Sequence, residues 1–371
     1  MASFPLAVRL SGVAVTAAAT GGGRSKHVGV GRLQNNRSLS CKAVIGNVWC
    51  TAPRSPVRHR GAAAAAGAAP PDAPLPPLMA APPASSTPCS LVEGAVKRAA
   101  EGNHFVISKE DVEALTLARG LEAQALLPEF VGAAQRYARP PTSRFYVGAA
   151  ALGASGNVYL GVNVELQGLP LNASIHAEQF AVVTALRAGE TALVAIATTA
   201  APCGHCRQFM NELRGAAAMR VIIPDERTAA MGGGGGHINY TLSDLLPHSF
   251  GPLDLTHDAT LPLMLELRDN GVVLPPGAAA ALEAREAAKD TAGSGGGDVG
   301  GVGEGSLGTM LAAAVREANL AYAPYSQSPA GLALRTKSGK VFSGRSVESA
   351  AYNPTMSPLH AALVAAVGSG G

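Results

Sequence analysis

Two short segments of the chain carry side chains that together could bind a metal ion and move protons. The first holds His176 and Glu178, separated by one alanine, and the second is a Pro-Cys-Gly-His-Cys run that ends at Cys206. One imidazole and two thiols form the donor set of a catalytic zinc, which leaves its fourth position to water. We therefore predict that His176, Cys203 and Cys206 bind zinc and that Glu178 carries protons.

The spacing of these residues indicates the elements that must hold them. Proline suits the first turn of a helix, so a helix begins near Pro202, and Cys203 and Cys206 project from one face of it. A helix N-terminus also favours thiolates. His176 and Glu178 are two residues apart and would not share a face in mid-helix, so we place both at the first turn of a second helix.

Other interpretations of the two cysteines exist. An isolated C-x-x-C is often a structural zinc knuckle or a redox pair. A structural zinc would need a fourth Cys or His ligand. His205 is the available candidate, but its side chain is expected to point away from the face that Cys203 and Cys206 share. The order H-x-E and then P-C-x-x-C is the signature of zinc-dependent base deaminases.

The charge of the chain is distributed unevenly. Of the 29 Lys and Arg residues, nine lie in residues 1–71, which contain no Asp or Glu. The remainder holds 20 basic and 26 acidic residues, a net charge of −6. This acidic body disfavours a nucleic-acid partner, which needs basic charge along its track. No apolar run is long enough and free enough of charge to span a bilayer, so no membrane partner is expected.

The N-terminal third is expected to stay outside the folded domains. Residues 1–60 are rich in Ser, Ala and Arg, which is typical of an organelle transit peptide. We expect them to be disordered and to direct the protein to the plastid, with the mitochondrion or the cytosol as alternatives. A disordered tail without an address is the competing interpretation. Residues 61–100 are an Ala/Pro-rich linker.

Residues 101–255 are expected to form an α/β catalytic domain. Residues 105–139 show helical periodicity, and two later segments read as a strand hairpin. A strand, helix, strand order then implies a parallel crossover. We predict a mixed sheet with helices on both faces. Its strands are expected at 145–152, 158–165, 193–199 and 220–223.

The C-terminal part contains a connector and a repeat. Residues 256–306 are expected to hold two helices, 261–270 and 278–289, and a Gly-rich linker. Residues 307–371 repeat the catalytic domain at a constant offset of 183. The offset, taken without a gap, sets Leu359, His360 and Ala361 opposite the residues from His176 to Glu178. This second domain is therefore expected to be non-catalytic and cut short. The matched pairs include Val158 with Val341, Gly161 with Gly344, Val164 with Val347 and Glu165 with Glu348.

The sequence resembles the two-domain, homodimeric, enterobacterial type of cytidine deaminase over roughly residues 105–365. The string from His176 to Gln179, the string from Pro202 to Leu213 and the Phe-Gly-Pro-Leu-Asp-Leu run that starts at Phe250 carry the resemblance. It implies a three-layer α-β-α fold and one zinc per catalytic domain. It also implies hydrolytic deamination of cytidine and deoxycytidine to the uridine forms, a step of pyrimidine salvage. Glu178 would take a proton from water and deliver protons to the ring and the leaving amine.

The resemblance further implies substrate contacts. Asn163 and Glu165 match a ribose-binding N-x-E motif, and residues two apart on a strand share a face. A solvated strand face is the alternative, which gains weight because Glu348 persists in the second domain.

Three more residues belong to this set. Phe145 matches a phenylalanine that contacts the substrate ring, although a core phenylalanine is the competing interpretation. Ala177 is also expected to contact substrate. Arg207 either donates to the cysteine thiolates or is a surface helix residue.

Two other functions fit the same motifs. A deaminase of polynucleotide cytosines would use the same zinc chemistry, but the acidic body and the N-x-E motif favour a free nucleoside. A non-catalytic zinc-binding scaffold is the alternative from another class.

Overall fold

Two β-sheets organise the part of the chain that the structure describes. This computed structural model describes residues 13–18, 28–32, 89–225, 236–274, 277–278 and 307–369. All of them belong to one contact unit of the chain, and the other unit, 36–84, lies outside the described residues. Among the described helices, none is both long enough and apolar enough to cross a bilayer.

The first sheet has six strands in the order β3-β5-β4-β6-β7-β8. The β6–β7 pair is parallel, and the other neighbours are antiparallel. The predicted hairpin is present as β4 and β5, and the mixed sheet is confirmed. The strands are β3 (Val106–Ile107), β4 (Gly148–Gly153), β5 (Val158–Val162), β6 (Leu193–Thr198), β7 (Arg220–Pro224) and β8 (His237–Thr241).

Helices cover both faces of this sheet because two glycines allow close approach. A Cβ on Gly148 would lie 2.6 Å from the carbonyl oxygen of Val131. A Cβ on Gly161 would overlap the carbonyl oxygen of Ala177. Gly148 and Gly161 point to opposite faces, since Gly161 pairs with Ala149. The third and fourth helices thus sandwich the sheet. The helices are α1 (Cys89–Gly102), α2 (Lys109–Arg119), α3 (Ala123–Ala134), α4 (Ala177–Arg187), α5 (Gly204–Met210), α6 (Leu242–Leu245) and α7 (Pro252–Thr256).

The second sheet repeats this arrangement around a hairpin whose strands have the same lengths. Gly331 approaches the carbonyl of Ala314 in α8, and Gly344 approaches the first turn of α9. The two helices again lie on opposite faces. The sheet order is β10-β9-β1-β2, and all pairs are antiparallel. Its elements are α8 (Leu307–Asn319), β9 (Ala330–Arg335), β10 (Val341–Arg345), α9 (Pro358–Gly368), β1 (Val13–Ala18) and β2 (Val28–Arg32).

The expectation of a gapless repeat is wrong. The strands β5 and β10 are offset by 183, but α4 and α9 are offset by 181. The loop that leads into α9 is two residues shorter than the loop that leads into α4. The counterparts of His176 and Glu178 are therefore Ser357 and Leu359, and not Leu359 and Ala361. The second domain still lacks a counterpart of the imidazole and of the carboxylate.

The expectation that residues 1–60 are disordered is wrong for β1 and β2. Strand β1 pairs with β9 along the edge opposite to β10, with Thr16 opposite Leu332. That position corresponds to the place of β6 beside β4 in the first sheet. A free strand edge offers unpaired N–H and C=O groups. The alternating valines of both N-terminal segments suit them to pair with it.

Two further expectations differ from the structure. Helix α1 begins inside the predicted linker 61–100, and Val92 and Val96 are buried. Their helical spacing is hidden in an alanine-rich composition. Residues 261–270 form turns and not a helix, because Pro262 disfavours a helical conformation before it and the Leu263 N–H donates to the Glu266 carboxylate. The second expected helix, 278–289, lies almost wholly outside the described residues.

Candidate metal centre

The two predicted segments lie at the starts of two helices that face one site. His176 is the N-cap residue of α4, with extended backbone angles of φ −81° and ψ 153°, and Glu178 lies in the first turn. Cys203 is the N-cap residue of α5, and Cys206 lies in its first turn. The helix N-termini favour thiolate and carboxylate charge at this position.

Three side chains bring their donor atoms together. His176 Nδ1 lies 3.5 Å from Cys203 Sγ and 3.3 Å from Cys206 Sγ. The two sulfur atoms are 3.6 Å apart. A tetrahedral zinc with ordinary Zn–S and Zn–N bonds would set its ligand atoms about 3.5–3.8 Å apart. The donor set therefore fits zinc in both chemistry and spacing. Among the described residues, it is the group of three His, Cys, Asp or Glu side chains whose donor atoms lie close enough together to hold a metal ion.

The thiols and the imidazole share protons within this group. The hydrogen bond from the Cys206 thiol, and then that from His176, lower the pKa of Cys203 to about 3. The pKa of Cys206 is raised, because it donates to Cys203 and is buried. The hydrogen bond to Cys203 raises the pKa of His176. A bound Zn²⁺ would displace these protons, since it binds thiolates and neutral imidazole.

Glu178 lies next to His176 and Cys206 and is almost completely buried, with 5% of its surface exposed. Burial raises the pKa of its carboxyl group, against the lowering effects of the helix backbone and His176. A raised pKa makes the protonated form of a carboxyl group easier to populate, which a group that both accepts and donates a proton requires. The environment of Glu178 is therefore suited to general acid–base work.

The N-x-E segment adjoins this site through main-chain pairing. Val164 exchanges two hydrogen bonds of 2.9 Å with Ile175, the residue before His176. Asn163 is tied to the strand opposite: its Oδ1 accepts from the Val147 N–H at 2.9 Å, and its Nδ2 donates to the Phe145 carbonyl at 2.8 Å. Asn163 therefore fixes the segment that carries Phe145.

Glu165 locks the turn before that segment. Its carboxylate accepts from the N–H groups of Thr142 and Ser143, each at 2.9 Å, and from the Ser143 hydroxyl. Burial opposes ionisation, but these hydrogen bonds hold the pKa of Glu165 below its usual range. Glu348 accepts from the N–H and hydroxyl of Ser326 in the same way. This shared structural role explains why the second domain keeps a glutamate at position 348. In the sequence, the role is indicated by the two serines, Ser143 and Ser326, which are also 183 residues apart.

The remaining predicted residues have different surroundings. Phe145 is 53% exposed, so its interpretation as a core residue is wrong. Ala177 is fully buried, and its carbonyl faces Gly161. Arg207 donates to the carbonyls of Pro202 and Leu245, each at 2.7 Å. The expectation that it donates to a thiolate is therefore wrong: its guanidinium fixes the turn before Cys203 instead.

Sequence reasoning missed the contacts that two residues make around His176. The ring of His205 stacks on that of His176, with centroids 4.9 Å apart and an interplanar angle of 17°. His205 lies outside the three-donor group. Gln179, which is buried, accepts from the His176 N–H at 3.3 Å and contacts His205. Neither contact leaves a sequence signal, because each depends on how α4 and α5 meet.

Comparison with protein families gives two matches on this chain. A model described as the cytidine and deoxycytidylate deaminase zinc-binding region matches residues 122–223, which include all three donors. A second model with the same description matches residues 242–371. Together the matches span more than half of the chain.

Individual relatives agree with these matches. Cytidine deaminase 1 of Arabidopsis thaliana is 40% identical over 269 residues, which cover 72% of this chain and 83% of the relative. The cytidine deaminase of Yersinia pestis is 38% identical over 267 residues, which cover 72% and 76%. Among solved structures, the cytidine deaminase of Mycobacterium tuberculosis is 35% identical, with a TM-score of 0.28 and coverage of 34% of this chain and 97% of that one.

Proposed function

The chain belongs to the zinc-dependent cytidine and deoxycytidylate deaminase family, and from this premise we propose that its site hydrolyses cytidine and deoxycytidine to uridine and deoxyuridine with release of ammonia. The observation that carries the proposal is the convergence of one imidazole and two thiols above a buried carboxyl group. We assign His176, Cys203 and Cys206 as the zinc ligands. When bound, zinc supplies a Lewis acid that makes water a stronger acid and nucleophile.

Glu178 performs the proton transfers in this proposal. Its carboxylate accepts a proton from the attacking water, and the protonated form then donates to N3 of the pyrimidine. Glu178 then takes the proton of the hydroxyl added at C4 and delivers it to the amine, so that the C4–N bond breaks, ammonia leaves and the C4 carbonyl forms. The raised pKa of Glu178, caused by burial, supports this role because it favours the protonated form that the donation step requires.

Substrate contacts are assigned to the segment beside the metal ligands. Asn163 and Glu165 shape the turn and strand entry that carry Phe145, and Val164 links them to the residue before His176. We assign Asn163 and Glu165 to the ribose, and Phe145 and Ala177 to the base. The exposed ring of Phe145 supports a contact with a flat ligand.

An activity assay tests the proposed reaction. The full chain, purified with zinc, should convert free cytidine to uridine with a fall in ultraviolet absorbance, and the product is identified by chromatography. A zinc-loaded protein that leaves cytidine and deoxycytidine unchanged would overturn the proposal and would favour the non-catalytic scaffold.

A polynucleotide substrate is tested beside the nucleoside. The net charge of −6 after residue 71 offers little attraction for a phosphate backbone. We expect a cytidine-containing single-stranded oligonucleotide to react far more slowly than free cytidine. Activity on the oligonucleotide alone would reassign the substrate class.

We further propose a homodimer. Large apolar side chains are exposed in three segments of the catalytic domain, and burial against a second chain would remove them from water. Light scattering on the zinc-loaded protein should give twice the mass of 37.3 kDa, and a monomer would contradict this. The side chains concerned are Phe145, Tyr146, Leu169, Leu171, Phe250 and Leu253.

The cellular address and the domain limits are also proposals. The absence of acids among nine basic residues in 1–71 supports import into the plastid. A fusion of residues 1–88 to a fluorescent protein should accumulate there, and a cytosolic or mitochondrial signal would refute it. We place the catalytic domain at 101–255, extended at its N-terminus by α1, the connector at 256–306 and the second domain at 307–371.

A further inference from the structure

The amide of Gln179 joins the metal site to the second domain. Its Nε2 donates to the Pro354 carbonyl at 2.9 Å, across a buried contact, and lies 3.1 Å from His205 Nε2. Its Oε1 accepts from the His176 N–H at 3.3 Å. One side chain, only 2% exposed, therefore contacts both histidines of the site and a carbonyl that belongs to the other domain.

The Pro354 carbonyl determines the orientation of this amide. A carbonyl oxygen can only accept, so Nε2 of Gln179 must face it and Oε1 must face the His176 N–H. His205 Nε2 then accepts the second amide hydrogen. This holds the His205 ring in the plane that stacks on His176. If the carbonyl moved, the amide would lose the partner that fixes which way it points.

The second domain makes a matching contact in return. His360, the counterpart of Gln179 at the 181 offset, donates to the Ala173 carbonyl, and Ala173 is the counterpart of Pro354. Each helix thus sends its third residue to the loop before the other helix. Such a reciprocal contact is typical of two-fold packing. It holds the Pro354 loop at the first turn of α4.

A second contact anchors α5 to the same domain. Glu212, which is fully buried, follows α5. Its carboxylate accepts from the Tyr322 hydroxyl at 2.8 Å, the Tyr325 hydroxyl at 2.5 Å and the Ala350 N–H at 2.7 Å. Both ligand-bearing helices therefore contact the second domain, α4 at its first turn and α5 just beyond its C-terminal end.

We propose that the second, non-catalytic domain acts as a positioning element for the metal site of its own chain, through the Pro354 carbonyl and the Gln179 amide. Gln179 is a positioning residue: it acts on zinc through His176 and His205. This inference rests on the proposed zinc site, but it concerns residues that touch neither the substrate nor the ion.

The variant Gln179→Met tests the proposal because methionine keeps the volume and removes all three hydrogen bonds. Loss of a residue that orients a metal ligand typically weakens metal binding about 10–100-fold. We expect zinc transfer to the chelator 4-(2-pyridylazo)resorcinol to be faster by about that factor. In the metal-free protein, amide hydrogen exchange should accelerate in the peptide that spans residues 174–180.

Arg187→Gln is the matched control. Arg187 lies at the other end of α4 and donates to the Ser343 carbonyl of the second domain at 2.6 Å, far from the ligands. It should lower the melting temperature without changing zinc release or exchange at residues 174–180. Wild-type release and exchange in Gln179→Met, or equal changes in both variants, would overturn the proposal. Neither readout needs a nucleoside, so a failure of deamination alone would refute the proposed function and leave this inference standing.

Discussion

Two glutamates beside the metal site show how environment separates residues of one type. Glu178 is buried, and burial outweighs its hydrogen bonds and the attraction of His176, so that the pKa of its carboxyl group is raised. Glu165 receives three hydrogen bonds from one turn, which together hold its pKa low against burial. The first holds a proton more readily than an ordinary glutamate, whereas the second is held in its ionised form and stabilises its turn. Their chemical roles follow from these opposite directions.

The variant Glu178→Gln should lose most of its activity and keep its metal. Glutamine retains the shape of the side chain but cannot shuttle protons, and general acid–base groups typically contribute about 10²–10⁴-fold in rate. We expect kcat to fall by that order while zinc content, measured by atomic absorption, stays at the wild-type level. Full turnover with metal retained would remove Glu178 from the mechanism.

The variant Glu165→Gln should show a stability deficit that depends on pH. The pKa of Glu165 is lowered by folding, so its contribution is fully present above the usual value of 4.5 and is lost as pH falls through the folded-state value. A hydrogen-bonded charge typically contributes about 1–3 kcal/mol. Urea unfolding of wild type and variant should differ most near pH 7 and converge in acid. A constant difference would contradict this linkage.

Glu348→Gln separates the structural role of Glu165 from substrate binding. It breaks the same kind of turn in the second domain, with Ser326 in place of Ser143. Both variants should lower the melting temperature, but only Glu165→Gln should also raise KM for cytidine. Similar KM values in the two variants would show that Glu165 stabilises its turn and does not bind the substrate.

At this scale, the residue types and spacings were enough to predict which donors meet. The spacing of Cys203 and Cys206 fixed two of them on one helical turn, and His176 completed a known zinc set. The contacts of Arg207, Gln179 and His205 could not be predicted, because they depend on the relative placement of separate helices.

At the scale of elements, α4 is the piece on which the site depends. Its first turn lies against β5 at Gly161, where any side chain would overlap the Ala177 carbonyl. The same contact recurs between β10 and α9 at Gly344. Each helix therefore needs a glycine on the strand beneath it, and only the first helix carries a metal ligand.

The substitutions Gly161→Ala and Gly344→Ala should destabilise the protein by similar amounts. Adding a methyl group to a closely packed contact typically costs about 1–3 kcal/mol. Only Gly161→Ala displaces the turn that holds His176, so only this variant should release zinc faster to a chelator. Denaturant unfolding and zinc release measured together check both statements, and faster release from Gly344→Ala alone would contradict them.

Periodicity predicted the elements better than their register. Alternating apolar residues identified β4 and β5, and the Gly189 stop placed the end of α4 within two residues. The two-residue change before α9 could not be seen, because that loop carries no repeat signal of its own. Helix α1 was missed since alanine gives little contrast between its faces.

At the scale of the whole molecule, part of the second domain packs into the hydrophobic core of the catalytic domain. Tyr322, Val347, Met356 and Leu363 of the second domain belong to the same buried cluster as the catalytic sheet. The interiors of the two domains are therefore partly continuous, while the face of β9 that packs on α8 forms a buried cluster of its own. The internal repeat could not predict this packing between the domains, because sequence similarity between two copies does not show which of their surfaces meet.

Removal of residues 1–35 should destabilise the second sheet. Strand β1 covers the edge of β9, and its loss would leave unpaired N–H and C=O groups. We expect a lower melting temperature and concentration-dependent aggregation, measured by light scattering. Thr16→Pro in the full chain, which removes a main-chain donor from a strand paired on both sides, should act in the same direction. A truncated protein as stable and dispersed as wild type would refute this role of β1.

The buried Glu212 carboxylate sets a limit on any attempt to make a smaller enzyme from this chain. A fragment that ended before α8 would keep Glu212 but discard the three donors that Tyr322, Tyr325 and Ala350 provide. The orphaned acid would then face water or take up a proton at the base of α5. A designer of a minimal deaminase would therefore have to replace Glu212, together with Gln179, before removing the second domain.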